Sequence, residues 1–238
     1  MLFCGLQTRQ LVSPEFDDLD MNYSPWLPAD RNAAVLDAGC GRGRVLAFLA
    51  SRGYAHLEGF DRDPEAAAAA RLRVAAPIAV EEDWIRFLAN REQAFDLAIL
   101  KDVIYYIPRD RLVDALSAVR RALKPNGRVI VEVFNGAAFT GPFVAYKDEA
   151  ILWTPTEHTV RRLLERAGFA RVIVRAHVPP ARTLKRRLFN LVGAVWREVL
   201  RGIYVVERGV AEENPRILTT KIVAVGDVSA GGSGGASS

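Results

Sequence analysis

Three closely spaced glycines and a later aspartate are the residues of this chain best suited to bind a small molecule. The glycines lie in segment 37–43 (DAGCGRG), between an apolar run and a helical pattern that begins at Val45. Glycine lets a backbone turn tightly and lets a ligand approach with no Cβ in the way, and the following helix start presents backbone N–H groups. Asp61, 22 residues after Gly39, ends the next predicted strand, where a carboxylate can accept hydrogen bonds from two ribose hydroxyls.

The spacing within segment 37–43 discriminates between ligands. A dinucleotide-binding loop has the pattern G-x-G-x-x-G, whereas here the third glycine, Gly43, comes one residue early and Arg44 takes the expected position. The segment also opens with an acid, Asp37, which suits a ligand with a cationic group better than a pyrophosphate. An oxidoreductase that uses a dinucleotide is therefore disfavoured.

The elements around these residues alternate between strands and helices, which predicts an α/β fold with a doubly wound, mostly parallel sheet. Strands are predicted at 33–36, 56–60, 78–80, 95–100, 129–134, 171–175 and 217–225. Helices are predicted at 45–52, 64–74, 110–123 and 154–168. In the last of these, Thr154 and Glu157 form a capping box, and Gly168 closes the end.

Five short motifs occur in the order found in one enzyme family. They are segments 35–43 (VLDAGCGRG), 59–61 (GFD), 83–84 (DW), 95–104 (FDLAILKDVI) and 123–128 (LKPNGR). Together they resemble the Rossmann-like, S-adenosylmethionine-dependent methyltransferases, and the resemblance covers residues from about 22 to 226. It implies S-adenosyl-L-methionine as cofactor and S-adenosyl-L-homocysteine as product.

The resemblance also implies where the sheet and the cofactor lie. The sheet has seven strands, the last of them antiparallel and inserted beside 171–175, with a helical cap between strands six and seven. The cofactor lies across the carboxyl ends of strands one, two and four. Asp61 matches the acid that binds ribose, while Asp83 and the backbone N–H of Trp84 match the pair that meets adenine. The expected cofactor-binding residues are Asp37, Gly39, Cys40, Gly41, Gly43, Asp61, Arg62, Asp83, Trp84, Lys101 and Asp102.

The residues expected to act on the acceptor depart from the family pattern. Many relatives carry Glu-His after the fourth motif, where this chain has Tyr105-Tyr106, and a His where it has Glu149. We expect Glu149 or Asp148 to act as general base and Tyr105 or Tyr106 to orient the acceptor. The alternative is that all four lie at the rim of the site and that no group acts as base. His177 is a weaker candidate.

A long basic insertion separates the last two predicted strands. Residues 171–208 hold nine Lys and Arg but only two Glu, and within 178–214 large apolar residues recur at steps of three and four. This spacing predicts an amphipathic helix over 182–204. Such a helix can cap the substrate pocket, form a homodimer interface or lie on an anionic membrane.

The composition is that of a globular chain. Of 238 residues, 50% are hydrophobic and 25% charged, with a net charge of +4, so a wholly disordered chain is excluded. There is no run of 18 apolar residues, so no transmembrane helix is expected, and the first residues do not resemble a secretory signal. Two cysteines are too few for a disulfide framework or a cysteine-based zinc site, so we expect a cytoplasmic protein without a metal. We expect one domain over 1–230 and a disordered Gly/Ser tail over 231–238.

Segments 26–30 (WLPAD), 153–169 and 217–225 extend the resemblance to a bacterial subgroup associated with cell-surface polysaccharide synthesis. This implies O-methylation of a sugar hydroxyl on a glycan or related small molecule, at the inner face of the membrane if the acceptor is lipid-linked. The alternatives are a methyltransferase for another small molecule, such as a lipid or natural product, and a non-catalytic S-adenosylmethionine-binding subunit. Nucleic acid is not an expected substrate, because residues 102–105 (DVIY) do not form an Asn-Pro-Pro-Tyr-like motif.

Overall fold

The computed structural model describes residues 13–230, which include a seven-stranded sheet. Its strands are β1 (Ala34–Ala38), β2 (His56–Asp61), β3 (Ile78–Val80), β4 (Phe95–Lys101), β5 (Leu123–Phe134), β6 (Ala170–Ala176) and β7 (Lys221–Asp227). The order across the sheet is β3-β2-β1-β4-β5-β7-β6, with β7 antiparallel to β5 and β6 and the other neighbours parallel. The predicted seven-stranded sheet with an antiparallel last strand is confirmed. The predicted tail, 231–238, lies outside the described residues.

Helices connect these strands. They are α1 (Asp17–Tyr23), α2 (Arg44–Ser51), α3 (Pro64–Arg73), α4 (Trp84–Leu88), α5 (Leu112–Ala122), α6 (Gly141–Tyr146), α7 (Glu157–Arg166) and α8 (Leu184–Arg208). The predicted helical insertion between strands six and seven is α8, which follows β6 and precedes β7. None of the helices within residues 13–230 is both long enough and apolar enough to cross a membrane.

Consecutive side chains of the central strands pack alternately in two hydrophobic clusters, one on each face of the sheet. On β1, Leu36 packs in the cluster that includes residues of α4, α5 and α7, while Val35 packs in the cluster that includes residues of α1, α2 and α3. Side chains alternate between faces along a strand, so a strand buried on both faces needs a continuous apolar run. Burial of both faces fixes β1 and carries Asp37 to the carboxyl edge of the sheet.

The helix predicted at 154–168 is shorter, and its cap is different. Thr156, not Thr154, caps α7, by accepting a hydrogen bond from the backbone N–H three residues later at 3.4 Å. The predicted capping box is wrong because the carboxylate of Glu157 accepts hydrogen bonds from a distant segment, including the N–H of Ile217 at 2.6 Å. Because residues 216 and 217 bond to Glu157 and not to a neighbouring strand, β7 begins at Lys221, four residues later than predicted.

Candidate active site

A cleft of about 920 Å³ opens at the carboxyl ends of β1, β2 and β4. The strand order reverses here, because β2 lies on one side of β1 and β4 on the other. A crevice at such a reversal is the usual ligand site of an open α/β sheet. All the predicted binding residues except Gly43 line this cleft, namely Asp37, Gly39, Cys40, Gly41, Asp61, Arg62, Asp83, Trp84, Lys101 and Asp102.

The glycine loop has a backbone conformation that glycine adopts readily. Gly39, Gly41 and Gly43 have φ angles of +74°, +52° and +73°, in a region that other residues rarely occupy. A Cβ on Gly39 would lie 2.3 Å from Val103 Cγ2, whereas a Cβ on Gly41 would meet no atom within 4 Å. A Cβ on Gly43 would lie 3.0 Å from the Cβ of Ala70. Gly39 and Gly43 therefore permit close packing, while Gly41 leaves open space for a ligand.

Asp61 connects the glycine loop to the end of β2. Its Oδ2 accepts a hydrogen bond from the N–H of Gly41 at 2.7 Å, and its Oδ1 accepts one from the N–H of Asp63 at 3.0 Å. These two bonds fix the carboxylate at the wall of the cleft. The next side chain, Arg62, places its guanidinium 5.3 Å from the ring centroid of Tyr106, so the two side chains bridge the cleft from β2 to the segment after β4.

Asp83 and Trp84 lie at the start of α4. Asp83 Oδ1 caps this helix by accepting hydrogen bonds from two backbone N–H groups at 2.9 and 3.1 Å. Its Oδ2 accepts one from Arg111 Nη2 at 3.1 Å. The indole of Trp84 is buried edge-on against Phe60, with ring centroids 5.5 Å apart. Sequence reasoning missed Arg111, which lies 28 residues from Asp83 and meets it only through the fold.

Asp37 is a buried acid without a partner. Both carboxylate oxygens are shielded from solvent and accept no hydrogen bond from any residue within 13–230. Burial, opposed by Lys101 and assisted by Asp61, raises the pKa of Asp37 to about 7. A buried carboxylate needs a positive charge or hydrogen-bond donors to stay ionised. The loop therefore fits a ligand that brings a cationic group to Asp37.

Two lysines and two acids form an ionic cluster at the ends of β4, β5 and β7, in which Glu132 is buried and Lys101, Lys221 and Asp102 are partly exposed. Lys101 and Lys221 both donate hydrogen bonds to Asp102. Glu132, which is 1% exposed, has Oε1 at 3.2 Å from Lys101 Nζ and 3.1 Å from Lys221 Nζ. The hydroxyl of Tyr23 donates to Glu132 Oε2 at 2.9 Å. Burial alone would raise the pKa of Asp102, but the two lysines hold it below its usual value.

Like Lys101, Asp102 lines the cleft. Its φ of +56° is unusual for a residue other than glycine, and such strain is common at functional sites. Its Oδ1 is shielded from solvent and has no hydrogen-bond partner among the described residues. Sequence reasoning missed Glu132 and Lys221 as members of the site. The one indication in the sequence was that Glu132 is a single charge in an otherwise apolar strand end.

The four predicted catalytic residues differ in their burial and in their contact with the cleft. Tyr106 lines the cleft, and its hydroxyl donates to Asp148 Oδ2 at 3.2 Å. Tyr105 is buried, with its ring centroid 5.8 Å from that of Phe134. Asp148 and Glu149 are both exposed, and neither is among the residues that line the cleft. The structure therefore pairs Tyr106 with Asp148 and places Tyr105 and Glu149 outside that pair.

His177 and Cys40 have surroundings that favour their neutral forms. His177 Nε2 lies 3.9 Å from Glu132 Oε2, and burial lowers the pKa of the imidazole despite that carboxylate. Burial, together with Asp37, raises the pKa of the Cys40 thiol, so no reactive thiolate forms near neutral pH. Across residues 13–230, no three His, Cys, Asp or Glu side chains are grouped so that they could hold a metal ion.

A family model described as a methyltransferase domain matches residues 14–174. The match covers more than half of the chain and includes the glycine loop, Asp61, Asp83 and the ends of β4 and β5. The chain belongs to the methyltransferase-domain family. The predicted methyltransferase activity and the predicted cofactor, S-adenosylmethionine, are thereby confirmed. Among curated protein sequences, none matches the methyltransferase.

Solved structures similar to the methyltransferase share its fold. A SAM-dependent methyltransferase from Archaeoglobus fulgidus is 18% identical, with 86% of this chain and 89% of that chain covered and a TM-score of 0.63. A possible histamine N-methyltransferase from Thermotoga maritima is 17% identical, with 90% and 88% covered and a TM-score of 0.61. A 1,6-didemethyltoxoflavin-N1-methyltransferase from Burkholderia thailandensis, with S-adenosylhomocysteine bound, is 20% identical, with 84% and 72% covered and a TM-score of 0.52. Identities this low establish a common fold and leave the acceptor open.

Proposed function

We propose that the methyltransferase methylates a hydroxyl oxygen of a sugar, on a glycan or a related small molecule. S-adenosylmethionine supplies, when bound, a methyl group that is already activated on a sulfonium. The observation that carries the proposal is the polar wall of the cleft directly after β4, formed by Asp102 and Tyr106. A hydroxyl-rich acceptor finds both hydrogen-bond donors and acceptors on this wall.

The cofactor occupies the glycine side of the cleft in this proposal. Asp61 binds the ribose hydroxyls, and Asp83 with the backbone N–H of Trp84 binds the adenine. Asp37 faces the positive charge of the methionine part, which supplies the partner that its carboxylate lacks. The orphaned oxygens of Asp37 and the open space at Gly41 support this arrangement.

The ribose contact can be tested by calorimetric titration of the protein with S-adenosylmethionine, S-adenosylhomocysteine and NAD. We expect the first two to bind and the Asp61→Ala variant to bind them about 10- to 100-fold more weakly, because a charge-assisted hydrogen bond contributes roughly 1.5–3 kcal/mol. Asp114→Ala removes an exposed acid of α5 and serves as the control. A preference for NAD, or an unchanged affinity in Asp61→Ala, would overturn the cofactor assignment.

We assign acceptor orientation to Tyr106 and the general-base role to Asp148, which acts through the Tyr106 hydroxyl. The hydrogen bond of 3.2 Å between them supports this assignment. Tyr105 packs edge-on against the Tyr106 ring with centroids 4.8 Å apart, so its role is to hold that ring. Glu149 remains the alternative base, since it follows Asp148 directly in the chain.

Turnover by variants separates these roles. We expect Tyr106→Phe and Asp148→Asn to lower kcat by about 100-fold, the lower range of general-base effects, while the Kd for S-adenosylmethionine stays constant. Glu149→Gln is the matched control and should keep full turnover. The assay measures S-adenosylhomocysteine formation with nucleotide sugars and oligosaccharides as acceptors. Loss of turnover in Glu149→Gln alone would move the base to that residue.

Residues 1–230 act as one domain in which 178–214 is the cap, and the enzyme belongs to the subgroup that serves polysaccharide synthesis at the inner face of a membrane. A lipid or natural-product acceptor is the second candidate, and the exposed apolar side chains of α8 favour it. Intact cofactor binding without turnover on any of these acceptors would instead support a non-catalytic subunit.

A further inference from the structure

Helix α8 turns its apolar side away from the rest of the methyltransferase. Among its 25 residues, Leu200 is the buried one. Leu188, Leu191 and Val195 are 60%, 62% and 62% exposed, although apolar side chains of this size normally pack against a core. Other exposed apolar residues of α8 include Leu184, Val192, Val199 and Val206.

Polar side chains on the opposite side bond α8 to the segments that precede and follow it and to the loop before α6. Asn190, Arg201 and Tyr204 each donate a hydrogen bond to a backbone carbonyl outside the helix, at 3.4, 3.0 and 3.4 Å. With 3.6 residues per turn, these positions lie across the helix from Val195. A surface helix normally faces the core with its apolar side. The orientation of α8 is reversed, so its apolar side is left for a partner.

An aromatic contact widens the apolar surface of α8. The ring of Trp196 lies edge-on against Phe139, with centroids 5.6 Å apart. Phe139 precedes α6 and is itself 70% exposed. Tryptophan is favoured where an apolar phase meets water, because its ring is apolar and its N–H is polar.

The charge of α8 indicates which partner fits. The helix carries six Lys and Arg and two Glu, and Lys185, Arg186 and Arg187 are exposed near its start. A second copy packed on the same surface would bring two such positive helices together. Anionic lipid headgroups would instead neutralise the charge while the apolar side enters the acyl region.

We propose that α8 docks the methyltransferase on an anionic membrane surface. The apolar side chains insert between headgroups, and the flanking lysine and arginine side chains pair with lipid phosphates. Docking is independent of which acceptor is methylated, so it can hold or fail separately from the proposed sugar O-methylation.

Flotation of the full chain with vesicles tests the electrostatic part. We expect binding to vesicles of phosphatidylcholine with phosphatidylglycerol and little binding to phosphatidylcholine alone. Reversing Lys185, Arg186 and Arg187 to Glu should lower the partition coefficient on the order of 100-fold, because each basic residue near a charged surface contributes several-fold. The control variant reverses three exposed charges outside α8, Arg121, Arg162 and Arg166, and should keep the wild-type partition coefficient within about threefold.

The apolar part is tested with Leu188→Gln combined with Val195→Gln. We expect this variant to lose vesicle binding while its thermal unfolding and its affinity for S-adenosylmethionine stay unchanged, since both side chains are exposed. Leu72→Gln, which changes a 92% exposed leucine of α3, is the matched control. Vesicle binding that neither set of α8 variants reduces would overturn the proposal. The proposal would also be wrong if the wild type were a dimer that does not float with vesicles and that Leu188→Gln with Val195→Gln converts to a monomer. The partner of α8 would then be a second copy of the chain.

Discussion

Replacing Glu132 by Gln is expected to lower the free energy of unfolding by about 3–5 kcal/mol, the cost of removing one partner from a buried ion pair. Glu132 Oε1 lies within 3.2 Å of the ammonium groups of both Lys101 and Lys221. Without the charge of Glu132, Asp102 alone balances two lysines that are only partly exposed to water. The amide keeps a hydrogen-bond acceptor, so the loss measures mainly the missing charge.

Urea unfolding followed by circular dichroism at neutral pH measures this loss. The control is Glu165→Gln on α7, an exposed position, where a change below about 0.5 kcal/mol is expected. Lys221→Met combined with Glu132→Gln should recover part of the stability, because it removes the uncompensated ammonium group. A Glu132→Gln variant as stable as the control would show that the ionic cluster does not stabilise the fold.

The cofactor half of the cleft could be predicted because its residues are close in sequence to the strand ends that position them. The glycine loop directly follows β1, and Asp61 is the last residue of β2. Parallel neighbouring strands bring their carboxyl ends to one edge, so these residues meet without knowledge of distant contacts. The insertion of β7 between β5 and β6 was implied by the family resemblance and did not follow from the apolar pattern.

The ionic cluster and the Asp83–Arg111 pair could not be predicted, because each depends on the order of elements in space. Lys221 meets Glu132 only because β7 runs antiparallel beside β5, with Lys221 opposite Phe134. Tyr105 and Tyr106 show the same limit at short range. One 3₁₀ turn contains both tyrosines. It buries the ring of Tyr105 and leaves the ring of Tyr106 at the cleft. Because the two positions are adjacent in the sequence, the sequence gives no basis for choosing between them.

The orientation of α8 is a further limit of the sequence pattern. The spacing of apolar residues predicted an amphipathic helix, and α8 is one. Periodicity defines two sides of a helix but does not say which side faces the body of the protein. The side of α8 that faces outward is known only from the structure, in which its valines and leucines are exposed and Asn190, Arg201 and Tyr204 contact backbone carbonyls.

Asp37 is expected to make cofactor affinity depend on pH. Burial raises the pKa of Asp37 to about 7, so the unbound protein holds a neutral acid at lower pH, whereas the cationic part of S-adenosylmethionine needs the carboxylate. We therefore expect the affinity to rise about tenfold per pH unit up to pH 7 and to level off above it. Asp37→Asn should remove this dependence and weaken binding at pH 8 by roughly 100-fold, since a charge-assisted contact is lost. Calorimetry between pH 5.5 and 8.5 measures both effects.

The same group should affect the stability of the unbound protein in the opposite direction. Because the pKa of Asp37 is higher in the folded than in the unfolded chain, folding takes up a proton, and the free energy of unfolding falls as pH rises from about 4 to 7. Above pH 7 the whole penalty is present, so Asp37→Asn should be more stable than the wild type in urea unfolding at pH 8 without ligand. Asp96→Asn is the control of opposite sign, because Lys124 and the N–H of Ala34 lower the pKa of Asp96 against the effect of burial, so its loss should destabilise at pH 8. A variant of Asp37 that is less stable than the wild type at pH 8, or that binds S-adenosylmethionine equally well, would show that Asp37 is not the unpaired acid that awaits the cofactor.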